Sequence, residues 1–265
     1  MANNGSNNVT ILDERGVSGV FNAPTPIPLC PSTCIQPTGV GINADTAFAA
    51  ITNTNASAAP APSTVSFVSL PTTGTTATLG DSPQVDQDPV AVAFDPTLDY
   101  AGVVTASQSS SLDLVDAASI SIIKAVTGFQ LPTGIVFDPV NQDFLLVDSV
   151  VNDVYIVDPS SFLSTGVRVG INPTSLDYNF QDSTLVTANA SSNTLSVVSY
   201  VCPPIPGGPV ICAAPRARDV LAVGGLLDPA SVVVGPNSVA IDLRLNLAVL
   251  VDQSNNRVLL VPLSH

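Results

Sequence analysis

One pattern is written five times along this chain, and it limits the possible folds more than any other feature. An apolar segment opens after a proline: Pro37-Thr38-Gly39-Val40, Pro89-Val90-Ala91-Val92, Pro132-Thr133-Gly134-Ile135, Pro173-Thr174-Ser175-Leu176 and Pro236-Asn237-Ser238-Val239. Each reaches an Asn or Asp three residues later: Asn43, Asp95, Asp138, Asn179 and Asp242. A second apolar run follows, then a polar turn and a third run. A unit of about 40 residues holding three or four short strands is the sequence mark of a propeller blade.

The intervals agree. Pro89 to Pro132 is 43 residues and Pro132 to Pro173 is 41. The two longer intervals hold insertions: Ala58 to Pro62 with a Thr/Gly-rich loop from Thr72 to Gly80, and a Pro/Gly/Cys segment from Val201 to Pro215. Valine, threonine and isoleucine recur in short runs bounded by Pro, Gly, Asn, Asp and Ser, as strands require, and no helical period is sustained. The expectation is all-β, a β-propeller of five or six four-stranded blades. It forms a single domain over 1–265, with units starting near residues 37, 89, 132, 173 and 236.

A polar turn aligns the second half of each unit. Asp252 to Val258, Asn189 to Leu195 and Asp148 to Val154 share one spacing, and Ala106 to Leu112 is a weaker copy. Asn3-Asn4-Gly5-Ser6-Asn7-Asn8-Val9 fits the same half-repeat, so residues 3–21 read as a partial unit. The expectation is that strands at Val9 to Leu12 and Val17 to Phe21 complete the last blade, which otherwise stops at Val258 to Leu263. An unclosed edge would invite aggregation. Six blades result if the partial unit stands alone.

Charge excludes some partners. Seven basic against twenty-one acidic residues give a net charge of −14, which repels nucleic-acid backbones and anionic lipid. No apolar run is long enough to span a membrane as a helix. Four cysteines fall in two local pairs, Cys30 with Cys34 and Cys202 with Cys212, both in Pro-rich inserts. With His265 the single histidine, a zinc site lacks ligands, and two local disulfides are expected. That places the protein in an oxidising setting: extracellular, cell-surface or periplasmic.

Several stretches resemble the NHL and YVTN families of bacterial β-propeller repeats. They are Ile51-Thr52-Asn53, Val186-Thr187-Ala188-Asn189 with Ser192 to Val197, and Val251-Asp252 with Asn255-Asn256-Arg257-Val258. The resemblance covers nearly the whole chain as a repeat pattern and implies the propeller fold; that architecture hosts enzymes, adhesins and scaffolds alike.

Two columns of Asn/Asp are candidate sites. The first ends the second strand of each unit: Asn3, Asn53, Asp148, Asn189 and Asp252, with Ala106 breaking the series. Oxygen donors of this kind suit Ca²⁺, and Asn53, Asp148, Asn189 and Asp252 are the candidate metal ligands. The alternative is that each caps its own tight turn. The second column, Asn43 to Asp242, reads as turn starters, helped by Asp95-Pro96 and Asp138-Pro139.

Catalysis finds little material. The propeller lactonases, which the expected fold resembles, place a Glu with Asn and Asp around a divalent metal; the single glutamate here is Glu14, the single lysine Lys124. No catalytic residue is assigned and no cofactor is expected beyond possible calcium. Arg216-Ala217-Arg218-Asp219, the one basic cluster, reads as a solvated loop end. The expected function is a non-catalytic interaction, scaffold or surface-assembly module that binds a protein partner or itself. The alternatives are a calcium-dependent lactonase-like hydrolase and a subunit that assembles by strand exchange.

Overall fold

A computed structural model describes residues 2–3, 6, 8–10, 26–29, 36–54, 63–70, 77–199, 216–221, 223–225, 228–232 and 235–263. Its contacts group into two compact units, Met1–Gly128 and Phe129–His265, each holding whole repeats. Every described sheet is antiparallel, and the described residues include no α-helix.

In the first unit, β1 (Ala2–Asn3), β2 (Asn8–Thr10) and β3 (Pro26–Pro28) form a three-stranded sheet. Strands β4 (Gln36–Asn43), β5 (Phe48–Thr54), β6 (Ser63–Ser69), β7 (Thr78–Leu79) and β8 (Gln84–Val85) form a five-stranded one, both β7 and β8 pairing with β6. A four-stranded sheet follows: β9 (Pro89–Asp95), β10 (Tyr100–Thr105), β11 (Ser111–Asp116) and β12 (Ser121–Thr127).

The second unit opens with two more four-stranded sheets. One is β13 (Pro132–Asp138), β14 (Asp143–Asp148), β15 (Asp153–Val157) and β16 (Ser164–Arg168). The next is β17 (Pro173–Asn179), β18 (Thr184–Asn189), β19 (Thr194–Ser199) and β20 (Arg216–Leu221). A hairpin, β21 (Val223–Gly225) with β22 (Asp228–Val232), precedes a three-stranded sheet of β23 (Pro236–Asp242), β24 (Leu247–Asp252) and β25 (Arg257–Pro262).

Each repeat is built by two local devices. The first is the hairpin turn: an Asn or Asp at its start and a left-handed residue four places on. Asn43 leads to Ala47 (φ 56°), Asp95 to Asp99 (φ 56°), Asp138 to Gln142 (φ 63°), Asn179 to Ser183 (φ 55°) and Asp242 to Asn246 (φ 50°). The leading oxygen accepts backbone N–H groups two and three residues on, as from Thr97 and Leu98 to Asp95 at 2.8 and 3.1 Å. The bonds hold a turn whose last residue costs an L-amino acid roughly 1–2 kcal/mol of strain. The second device is a bulge after the proline. Pro37, Pro132, Pro173 and Pro236 lie opposite Asn53, Asp148, Asn189 and Asp252, and the register slips by one before the next pair forms.

The extra residue serves the next repeat. Thr38 Oγ1 donates to the Pro89 carbonyl at 2.6 Å, Thr133 Oγ1 to that of Pro173 at 3.2 Å, and Thr174 Oγ1 to that of Pro236 at 3.3 Å. In the second repeat Val90 takes this place and has no hydroxyl to offer. Within the first unit β4 and β9 approach so closely that side chains are excluded: a Cβ on Gly39 would stand 2.9 Å from the Val90 carbonyl oxygen, and one on Gly41 2.7 Å from that of Val92.

The core lies between consecutive sheets. Ala50, Phe67, Val92, Phe94, Val103 and Val115 fill the space between the second and third sheets, with Phe67 edge-on to Phe94 at 6.4 Å. Leu145, Val154, Leu176, Leu185 and Val198 join the sheets that begin at β13 and β17. Val186, Leu195, Val239 and Leu250 join that of β17 to that of β23. A strand covered on both sides reads as continuous apolar sequence, which is why β14 (Asp-Phe-Leu-Leu-Val-Asp) is buried along its whole length.

Some expectations change. The N-terminal strands pair with one another in a sheet of their own, and the last sheet holds three strands; a four-stranded sheet drawn from both ends is not among the described pairings. Among the described residues, strand content per sheet runs from two to five instead of a uniform four. Arg216 to Asp219, read as a loop end, lies in β20 opposite β19. All four cysteines, and with them the Cys30–Cys34 and Cys202–Cys212 pairs, lie outside the described residues, as do Val17 to Phe21 and Glu14.

The close approach of β4 and β9 gives an expected outcome. Gly41→Ala is destabilised by about 2 kcal/mol in denaturant melts, because backbone must move to admit one methyl group. Val40→Ala, at a half-exposed neighbour, loses less than about 1 kcal/mol. Equal losses would show that the strands part freely.

Candidate functional site

The first Asn/Asp column occupies one position in every repeat, directly across from the proline, at the end of the second strand. Asn53, Asp148, Asn189 and Asp252 are all buried there. Asn3, at the end of β1, takes the equivalent place opposite Asn8. The interruption at Ala106 is corrected: Thr105 is the residue opposite Pro89, and it is buried. The turn between β10 and β11 has one residue more than that between β18 and β19, so counting back from Leu112 lands one place late.

The column is sorted by chemistry. Its amides donate to a pair of polar side chains on the third strand. Asn53 Nδ2 reaches Thr64 and Ser66 Oγ at 3.2 and 2.8 Å; Asn189 Nδ2 reaches Thr194 and Ser196 at 3.1 and 2.9 Å; Asn3 Nδ2 reaches Asn8 Oδ1 and Thr10 Oγ1, both at 2.6 Å. Its carboxylates accept. Asp148 takes the N–H groups of Gln130 (2.6 Å), Leu131 and Val150 (both 3.1 Å) and Val151 (3.4 Å), fastening the loop that enters β13. Asp252 takes the Asn255 amide groups and the Arg257 guanidinium, the last at 2.9 Å. The sequence carries the signal for this sorting as a Thr-x-Ser or similar pair five or more residues after each Asn, a pairing that the spacing of the Asx residues alone does not reveal.

This arrangement is one of cross-links. The carboxylate lone pairs a cation would need already accept N–H groups, and among the described residues no three Asp, Glu, His or Cys side chains are set to hold a metal. One polar atom stands out: Asn53 Oδ1 is buried with no hydrogen-bond partner.

The second column holds turns, as its bonds show, and burial perturbs several carboxyls. Asp95 and Asp177 are raised above the ordinary value of 3.8, burial being the main cause, with backbone N–H groups partly offsetting it. Asp177 Oδ2 accepts from Ile241 N at 2.7 Å, and Ser175 Oγ from Val239 N at 3.2 Å, so side chains of β17 take the backbone hydrogens of β23. Asp143 is pushed up to about 7, first by burial, then by the charges of Asp158 and Asp138.

A polar pocket of about 660 Å³ opens in the first unit, lined by Asp86, Gln87, Asp88, Ser107, Gln108 and Ser109. In the second unit, exposed aliphatic side chains stand on the loops beside the first column: Leu131 (39% exposed), Val150 (53%) and Ile171 (58%). Hydrogen bonds knit these loops together. Ser149 N donates to Leu131 O at 3.0 Å, Asn172 N to Asn152 Oδ1 at 2.7 Å and Ile171 N to Ser192 Oγ at 3.0 Å.

No protein-family model matches the chain, and no curated protein matches it. Solved structures do. A chain of a mitotic checkpoint complex superposes with a TM-score of 0.70 at 8% identity, over 98% of this chain and 72% of its own. A functionally unknown protein from Desulfotomaculum acetoxidans DSM 771 gives 0.65 at 10%, over 98% and 77%. A chain of a nidogen/laminin complex gives 0.58 at 13%, over 97% and 90%. At such identities the likeness defines the class of fold, an all-β propeller-like succession of sheets, and carries no activity with it.

Two outcomes follow from the geometry. The Asp143 carboxyl binds its proton more tightly in the native state than in the unfolded chain. Its contribution to stability is therefore fully present below the unfolded value near 4, declines as pH rises, and is gone above about 7. Asp143→Asn is expected to stabilise by on the order of 2 kcal/mol near pH 8 and to flatten the pH dependence of denaturant melts; an unchanged profile would place the proton elsewhere. Calcium at matched ionic strength should leave the thermal midpoint where chelator leaves it, because the column oxygens are engaged. A rise of several degrees would show that they rearrange around a cation.

Proposed function

We propose that the protein is a non-catalytic interaction module of extracytoplasmic location, of the NHL/YVTN repeat type, which binds a protein through loops at the ends of its sheets. The observation that supports this most is the aliphatic trio Leu131, Val150 and Ile171. Large apolar side chains held at the surface by a hydrogen-bonded loop network lose little entropy on docking, which favours association. The Asn and Asp side chains opposite the prolines are committed to cross-linking their own repeats. Two of the structures sharing the fold are chains of protein complexes, a mitotic checkpoint complex and a nidogen/laminin complex. The two cysteine pairs in sequence support an oxidising location.

The test is a triple variant, Leu131→Ser, Val150→Ser and Ile171→Ser, compared with wild type for capture of partners from a cell-surface extract. It should melt within a few degrees of wild type and lose the captured partner. Undiminished capture would move the interface elsewhere, and turnover of a lactone or ester by the wild-type protein would overturn the non-catalytic reading.

A second reading, self-association by strand addition, is favoured by β25. No further strand pairs with it among the described residues, and Val258 is 59% exposed, whereas the third strands β11 and β19 are largely buried. A strictly monomeric mass across a wide concentration range would dispose of it.

A further inference from the structure

One hydroxyl in the third sheet is asked to serve too many acceptors. Ser111 Oγ lies 2.7 Å from Asp113 Oδ1, 3.0 Å from Asp86 Oδ2 and 2.9 Å from Thr105 Oγ1. Thr105 Oγ1 accepts from Ser111 N at 3.0 Å, and its own hydrogen can turn to Ser111 Oγ or to the Ser111 carbonyl at 3.4 Å, so Thr105 need not take the Ser111 hydrogen. That leaves the single Ser111 hydrogen between two carboxyl oxygens. Asp113 is 1% exposed, and its register partners are Val103 on β10 and Ala125 on β12, neither titratable. Lys124, next to Ala125, stands on the other face of β12 by strand alternation. The charges on the facing loop are Asp86 and, two residues on, Asp88; both are acidic. Two ionised carboxylates here would share one hydrogen, with no cation between them among the described residues.

We propose that Asp86 and Asp113 hold one extra proton between them through Ser111, and that this proton latches the segment Asp86–Asp88, one wall of the polar pocket, closing it in acid and releasing it as pH rises. The latch has a hinge and a catch. The hinge is Asp88, whose carbonyl accepts from Ala106 N at 2.8 Å. The catch is Asp86, whose N–H donates to Asp113 Oδ2 at 2.9 Å while its side chain meets Ser111. With the proton present, the Asp113 carboxyl donates to Ser111 Oγ and Ser111 donates to Asp86, so every contact has a hydrogen. Loss of the proton to water leaves two anions competing for Ser111. The exposed Asp86 is the one able to leave, and its departure breaks the hydrogen bond from its N–H to Asp113 and frees Gln87 from the pocket wall. Burial raises the Asp113 carboxyl above its ordinary range, with the bond from the Asp86 amide partly offsetting it.

Hydrogen exchange of the Asp86 amide and the carboxyl ¹³C shift of Asp113, both by NMR on the full chain, test this. The Asp113 signal should titrate well above the ordinary carboxylate range. After correction for intrinsic rates, Asp86 protection should be at least about tenfold higher near pH 5 than near pH 8, the change expected for each unit of pKa difference. Asp113→Asn, which keeps an acceptor for the Asp86 amide and offers an N–H to Ser111, should hold high protection at both pH values. Should that variant fail to fold, Asp86→Asn supplies the missing hydrogen from the exposed side and should give the same pH independence. Asp113 titrating with the exposed carboxyls, or wild-type protection unchanged with pH, would overturn the latch.

Discussion

The rest of the structure depends on how closely the first strands of consecutive repeats can approach. At β4 and β9 there is no room for a methyl group over Gly39 or Gly41, and backbone carbonyls line the gap. The bulge after three of the prolines puts a hydroxyl within reach of the next repeat, and Thr38, Thr133 and Thr174 each cap a proline carbonyl across the junction. A proline at this point surrenders a ladder donor where the register is already broken, so little is lost, and its carbonyl becomes a fixed target. Apolar side chains then close the space between sheets behind this contact.

Seen from that junction, the polar residues divide by task. Those in the turns hold a strained left-handed residue in place; those opposite the prolines tie the second strand to the third or to the entering loop. Buried amides and carboxylates with such partners are stabilising because an unpaired one costs about 1–3 kcal/mol. The same logic explains why acidic residues crowd the interior without metal-like geometry: most meet backbone N–H groups, which favour the ionised form. Asp143 and Asp113 are buried beside other carboxylates, whose charges add to burial in raising both.

Much of this was legible from the chain. The five prolines, the Asx residues and the apolar runs between them located the strands of the central repeats to within a residue or two, because a strand covered on both faces leaves a continuous apolar trace and a turn needs residues that tolerate positive φ. The half-buried turn residues Ala47, Ile120 and Phe162 were not legible as left-handed, since nothing in their side chains favours it; the turn imposes it. The position opposite each proline was legible at Asn53, Asp148, Asn189 and Asp252, with one exception, at Ala106.

That exception separates what sequence by itself determined from what tertiary structure decided. Repeat length, strand order and the residue types at each turn follow from local patterning, so they are present in the chain before it folds. Which residue faces which is a matter of register, and a single added turn residue between β10 and β11 moves the column from Ala106 to Thr105. The partition of Asx residues into donors and acceptors, the sheet formed by the N-terminal strands, and the meeting of Asp86 with Asp113 across 27 residues of chain likewise rest on contacts between segments distant in sequence. Spacing along one segment cannot encode them, because hydrogen-bond partners are chosen in three dimensions by whichever groups burial leaves unpaired.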